Sequence, residues 1–298
     1  MTMKELKKMF DIIQLDNHSG SADILKQIVI ALKYYLSNAP PSKPRDVEEM
    51  IDLLNTIIIT HENYMVVTHF VYQWLNEANK HLNGAEFNQQ MLDFTDFYTY
   101  YWMNTAEKIA HRFTDSVNTA GKSVLTLSNS KTLHDVFSAL TNEAKPSNVI
   151  QLESRPAYEG RLQAAKLAEL GYNVTLITDA AAAIKMKDID LIVSGADSIH
   201  ENHFINKTGT FQLALLASYF NKPLHVLTDS RKINQTCKLE SNISHKQYPG
   251  NEIWQNAPDT INIENFYFEP IPNILVTSFI TERKTIFPED LIDKTVEA

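Results

Sequence analysis

The chain is poor in the residues that would decide the simplest cases. It has one cysteine, Cys237, among 298 residues, so neither an intramolecular disulfide nor a cysteine-rich zinc site can form. Eight glycines leave few positions where the backbone can turn left-handed, so each one is informative. There is no G-x-G-x-x-G fingerprint and no Walker loop, which removes support for dinucleotide and P-loop nucleotide readings. Excess positive charge is lacking too. The balance is -9, which disfavours a broad nucleic-acid face but leaves room for a local basic pocket. No stretch approaches the length of a membrane span. The opening MTMKELKKMFDIIQ carries charge in every turn, unlike a secretory signal. The expectation is a cytoplasmic protein with no membrane or direct nucleic-acid partner. At 44% hydrophobic residues the chain can bury a large core without staples.

Two halves differ in period. In SADILKQIVIALKYYL, Ile24, Leu25, Ile28, Val29, Leu32 and Leu36 recur at helical spacing, with Ser21 as N-cap. NAPPSKP, residues 38–44, interrupts that helix. A second helical region begins at about Asp46 and breaks at Asn83-Gly84. A third carries Phe87, Met91, Phe94, Tyr98, Tyr101 and Ile109. Its stripe FTDFYTYYW reads as core or interface rather than as a base-stacking surface, given the acidic chain. From Ser123 short apolar runs appear: VLTL, VIQL, VTLIT, DLIVSG and LHVLTD. Continuous apolar runs of strand length are how strands buried on both faces read. RLQAAKLAEL, AAAIKMK and FQLALLASYF separate them as helices. The alternation predicts right-handed crossovers and a mainly parallel sheet. The expected division is an N-terminal helical domain, 1–118, and an α/β domain, 119–298.

Ligands of open parallel sheets sit beyond the carboxyl ends of the strands. Those ends carry Ser128, then Glu153-Ser154-Arg155 with Arg161 beyond, then Asp179, Asp197 and Asp229. Arg155, Arg161 and Lys207 are cations at one sheet edge. The segment NKTGT opens a helix, where free N–H groups favour an anion and Gly209 permits close approach. Together they predict a phosphate site. Asp197 reads equally well as an acid–base group or as a cap for the next turn. Arg155 could pair with Glu153 or Glu159 at the surface. His200, Glu201 and His203 have poor spacing for a metal and lie in what reads as a loop, so no metal and no cofactor are expected. HENYMVVTH, from His61, lacks the H-E-x-x-H spacing.

Four segments together resemble a known superfamily. They are VLTLSNS, ESRPAYEGR, GADSIHENHFINKTGTFQLAL and YFEPIPNILVTSFITERKTIFPEDL. The superfamily joins the alpha, beta and delta subunits of translation initiation factor 2B with methylthioribose-1-phosphate isomerase and ribose-1,5-bisphosphate isomerase. The resemblance spans about 120–298; the helices fit in outline, through SGSADILKQIVIALK. It implies an N-terminal helical domain, a Rossmann-like C-terminal domain and a homodimer or higher homo-oligomer formed through the latter. In the isomerases an aspartate and a cysteine face each other across an aldose 1-phosphate, with an Asn-Lys pair and arginines on its oxygens and phosphate. Carried over, Asp197 stands for the aspartate, Asn206 and Lys207 for the pair, and Arg155 and Arg161 for the arginines. Gly20 stands for the glycine of an N-terminal Arg-Gly-Ala. Three positions depart: Ser128 replaces the cysteine, Ser19 replaces the arginine, and His203 replaces a turn glycine. Cys237 lies well past the fifth strand and is no obvious substitute. A serine hydroxyl is a far weaker acid than a thiol and needs a separate base. The expectation is therefore a protein that binds a phosphorylated sugar or nucleotide, with isomerase turnover that is low or absent. The alternative is a non-catalytic regulatory subunit working through protein contacts.

Overall fold

The computed structural model describes residues 2–16, 20–61, 64–82, 86–233 and 247–292. Ser19, Asn83-Gly84 and Cys237 lie outside the described residues. Two compact units form, Met1–Asn104 and Thr105–Ala298.

The first unit is helical: α1 (Met3–Leu15), α2 (Ser21–Asn38), α3 (Pro44–Thr60), α4 (Met65–His81) and α5 (Phe87–Tyr101). The apolar stripe of α2 buries Ile24, Ile28, Leu32 and Leu36, while Leu25 and Val29 pack at its margin. Gly20, not Ser21, takes the N-cap position of α2, and no side chain caps it. Pro44 opens α3 at a position where its missing N–H costs nothing. The helical region expected from about Asp46 consists of two helices, α3 and α4, separated around His61. The aromatic stripe of α5 divides. Tyr98 is buried edge-on against Phe70, whereas Phe97, Tyr100 and Tyr101 are exposed.

The second unit starts with α6 (Thr105–Ser116) and builds a seven-stranded sheet from β1 (Ser123–Thr126), β2 (Asn148–Leu152), β3 (Val174–Ile177), β4 (Leu191–Ser194), β7 (Leu224–Leu227), β9 (Ser278–Ile280) and β10 (Thr285–Ile286). Their order is β10-β9-β7-β4-β1-β2-β3. All neighbours are parallel except β9 and β10. The five runs read as strands are β1, β2, β3, β4 and β7. All four residues of β4 and of β7 are buried, as their nearly continuous apolar sequences lead one to expect, and the burial includes Ser194 and His225. At the sheet edge, β3 exposes Thr175 and Leu176. The helices between strands are α7 (Lys131–Ala139), α8 (Glu159–Glu169), the short α9 (Ala182–Lys185) and α10 (Thr210–Tyr219), and α11 (Glu289–Ile292) follows β10.

One expectation fails. The stretch around His200 to His203 reads as a loop, but it forms a hairpin of β5 (Ser198–Ile199) and β6 (His203–Lys207). β8 (Phe268–Pro272) completes an antiparallel three-stranded sheet in the order β5-β6-β8. Alternating burial was hard to see because four of the five β6 residues, including Asn206 and Lys207, are buried.

Candidate functional site

The site begins where β1 stops. Ser128 adopts a left-handed backbone, φ 63, which non-glycine residues rarely adopt. It is held there from two sides. Its N–H donates to Ser154 Oγ at 2.7 Å, and its carbonyl accepts from Gln151 Nε2 at 3.1 Å. The end of β2 is fastened in turn to β3, because the N–H groups of Ser154 and Arg155 donate to the Asp179 carboxylate at 2.8 and 2.7 Å. The three strand ends are thus one hydrogen-bonded rim.

Helix α8 drops directly onto that rim. A Cβ on Gly160 would lie 1.9 Å from the Leu152 carbonyl oxygen, so only glycine lets the helix begin so close to β2. This places Glu159 in the floor. Its Oε1 is 2.5 Å from Lys207 Nζ and 3.5 Å from Ser128 Oγ, the outer limit of a hydrogen bond. Its Oε2 is buried and accepts no hydrogen bond. Lys207 is only 4% exposed, and its ammonium also stands 3.8 Å from the centre of the Tyr267 ring. The Tyr267 hydroxyl donates to Glu252, and its ring stacks on Tyr248. Burial, reinforced by Glu252, pushes that phenol well above its ordinary range.

Asp197 follows β4. Its N–H donates to the Ile205 carbonyl at 2.8 Å and ties it to the hairpin. Burial pushes its carboxyl above the ordinary carboxylate range; Lys232 and Lys207 oppose that shift and Glu159 adds to it. Lys232 is held nearby, donating to the Ala196 carbonyl at 2.7 Å. Asp197 is therefore not spent as a helix cap. Asn206 is fixed by donating to Ser194 Oγ and Thr210 Oγ1, both at 2.9 Å.

The cations divide. Arg161 pairs with Glu153 at 2.8 Å, and Lys207, not Arg155, takes Glu159. The Arg155 guanidinium donates to the Tyr158 hydroxyl and to the Ile253 carbonyl, both neutral oxygens. Both arginines lie over the Tyr158 ring, 4.8 Å from its centre for Arg155 and 3.8 Å for Arg161. The opening of α10 is already occupied: the Glu269 carboxylate accepts from the N–H groups of Gly209 and Phe211, each at 2.8 Å. An anion seated there must displace Glu269.

The structure thus gathers Ser128, Arg155, Arg161, Asp197, Asn206, Lys207 and Gly209 in the second unit, while Gly20 lies in the first. Glu159, Tyr267 and Lys232 went unrecognised in the sequence as parts of this cluster. The sequence offers Glu159 only as a surface partner for Arg155, and nothing in its spacing signals that Gly160 sets it inward. His200 and His203 stack at 4.7 Å, and His200 Nε2 lies 2.9 Å from Ser198 Oγ. Burial and His203 push His200 down to about 4. Among the described residues no group of three or more His, Cys, Asp and Glu side chains is placed to hold a metal ion. Nor is any helix there long and apolar enough to cross a membrane.

The partly buried Asp197 after β4, the Lys207–Glu159 pair and the arginines beyond β2 belong to the unit built on the parallel sheet, and ligands of such sheets sit beyond the carboxyl ends of the strands. Residues 9–288 match the Initiation factor 2 subunit family, and the chain belongs to that family. It is 41% identical over 148 residues to methylthioribose-1-phosphate isomerase of Geobacillus kaustophilus (strain HTA426), across 47% of this chain and 42% of that enzyme. The chain therefore spans less than half the length of that relative. Against ribose 1,5-bisphosphate isomerase of Methanocaldococcus jannaschii it is 26% identical over 298 residues, covering 96% of this chain and 93% of the other. Its fold matches the Pyrococcus horikoshii OT3 translation initiation factor eIF-2B with a TM-score of 0.80 at 18% identity, over 97% and 99% of the two chains.

Proposed function

We propose that the protein binds a phosphorylated pentose at the carboxyl end of its parallel sheet and interconverts its aldose and ketose forms, in the cytoplasm and as a homo-oligomer. The observation that carries this reading is Asp197, a carboxyl raised by burial at the end of β4. It is a proton donor within the field of Lys232, Lys207 and Glu159, in the same unit as the Arg155 guanidinium. A group whose pKa is moved toward neutrality is suited to general acid–base work. The two isomerase relatives support the substrate class. Arg155 is the cation we assign to the phosphate, because its present partners are neutral and a phosphate can replace them with charge-assisted bonds. Lys207 and Asn206 are assigned to sugar oxygens.

The test is a thermal-shift titration with ribose 1,5-bisphosphate and methylthioribose 1-phosphate, followed by an assay of ketose formation. A ligand at 100 times its Kd stabilises by about 2.7 kcal/mol, so a bound sugar phosphate raises Tm by several degrees. Arg155→Ala is expected to remove most of that rise without lowering the Tm of the free protein by a comparable amount. A regulatory subunit acting only through protein contacts gives no ketose from either compound.

A further inference from the structure

Ser128 occupies the position where the resembling isomerases have a cysteine, and a serine alone cannot serve as the second proton-transfer group near neutral pH. The structure provides another candidate 3.5 Å away. We propose that Glu159 is the group that accepts the substrate's proton, working with Asp197 as the donor, so that a two-carboxylate pair does the work of an aspartate and a thiol. This rests on the phosphosugar-isomerase reading.

Three observations carry the proposal. Gly160 presses α8 onto the Leu152 carbonyl, which aims the first-turn Glu159 into the site instead of outward. Glu159 Oε2 is buried without a hydrogen bond, an arrangement that is costly unless something uses that oxygen. Lys207 and Ser128 both contact the other oxygen, Oε1. They fix the orientation of the carboxylate while leaving Oε2 to accept. The charged and titratable groups around Glu159 are Lys207, Asp197 and, through Lys207, Tyr267. The charge of Glu159 is felt at Asp197, where it favours the protonated form. The Glu159 carboxylate thus helps to keep Asp197 in the protonated form that a donor needs, the logic by which neighbouring carboxylates divide acid and base roles.

The chemistry balances with these two groups alone. The bond from C1 to the ring oxygen breaks, and that oxygen keeps the electron pair and takes a proton from Asp197. The hydrogen on C2 moves with its electron pair to C1, which is reduced. C2 is oxidised to the ketone as its hydroxyl proton passes to Glu159. One proton is given and one is taken, and no external oxidant or reductant enters. Solvent then resets the two carboxyls.

The experiment compares ketose formation from ribose 1,5-bisphosphate and methylthioribose 1-phosphate by wild type, Glu159→Gln, Glu159→Asp, Asp197→Asn and Ser128→Ala. Thermal shift with the same compounds is the binding readout. Glu159→Gln is expected to lower kcat by roughly 10²–10⁴, to keep ligand binding, and to remove the acidic limb of the kcat–pH profile. Glu159→Asp is expected to retain part of the rate and that limb. Ser128→Ala is expected to lose less than tenfold. Wild-type turnover that persists within a few-fold in Glu159→Gln, or a Gln variant that keeps the acidic limb, overturns this inference alone. Wild-type protein that converts neither compound overturns the functional reading and the inference with it.

Discussion

Asp197 meets two demands that conflict. The fold is more stable with that position neutral, whereas a proton donor must be able to ionise. Because its folded pKa is raised by burial, the native state holds more protons there than the unfolded chain does. Stability is then lost as pH rises from the ordinary carboxylate value through the raised one. Asp197→Asn removes the penalty. It is expected to raise Tm at neutral pH, with the gain shrinking as pH falls toward the ordinary Asp value, while abolishing turnover. Melting curves across pH for the two proteins check the sign. A Tm gain that does not depend on pH would mean that burial of this carboxyl is not the cause. Asp197 could be singled out in the sequence because it follows a strand of the parallel sheet, a predictable place, whereas Asn206 entered through the family resemblance, and it and Lys207 lie in β6 of the antiparallel sheet. The roles of their neighbours were not legible. Glu269 fills the opening of α10 from β8, almost sixty residues away, and no local pattern announces that pairing.

Among the elements, the strands with nearly continuous apolar runs were readable because burial on both faces imposes that pattern. The β5–β6 hairpin was not, since its polar residues are buried by tertiary partners such as Ser194 and Thr210 rather than by any alternation. The break between α3 and α4 was equally hidden: neither glycine nor proline marks the stretch His61–Tyr64. The β2–α8 junction gives the sharpest element-level prediction. Gly160→Ala puts a methyl group into the Leu152 carbonyl, so β2 and α8 must separate. Overpacking of this kind costs about 1–3 kcal/mol and occasionally more. A lower urea midpoint is expected, together with loss of turnover as Glu159 is drawn from Lys207. Gly171→Ala is a useful contrast. A Cβ there meets nothing within 4 Å, although φ is +82, so strain without a clash is expected to spare the site. Equal losses of activity in the two variants would show that the tight junction does not position the site.

For the whole molecule, the open question of partners has a physical handle in the second unit. Helix α10 exposes Leu215 and Tyr219 one turn apart, and Tyr219 is 80% exposed. The turn after β8 packs near α10 and carries Ile274 at 85% exposure. Isolated exposed apolar side chains are ordinary, but several on adjoining elements mark a surface with a use. The family resemblance implies a homodimer formed through this C-terminal part of the chain. If two copies meet through this face, a charge at its centre must be buried unpaired or the pair must part, and the second is cheaper. Ile274→Asp is therefore expected to shift the protein from dimer to monomer in light scattering at micromolar concentration. The Asp197-based activity per chain should survive if each copy carries a whole site, and should fall with the dimer if it does not. A wild-type protein already monomeric under those conditions would remove the dimer, and the exposed face of α10 would then need a different occupant.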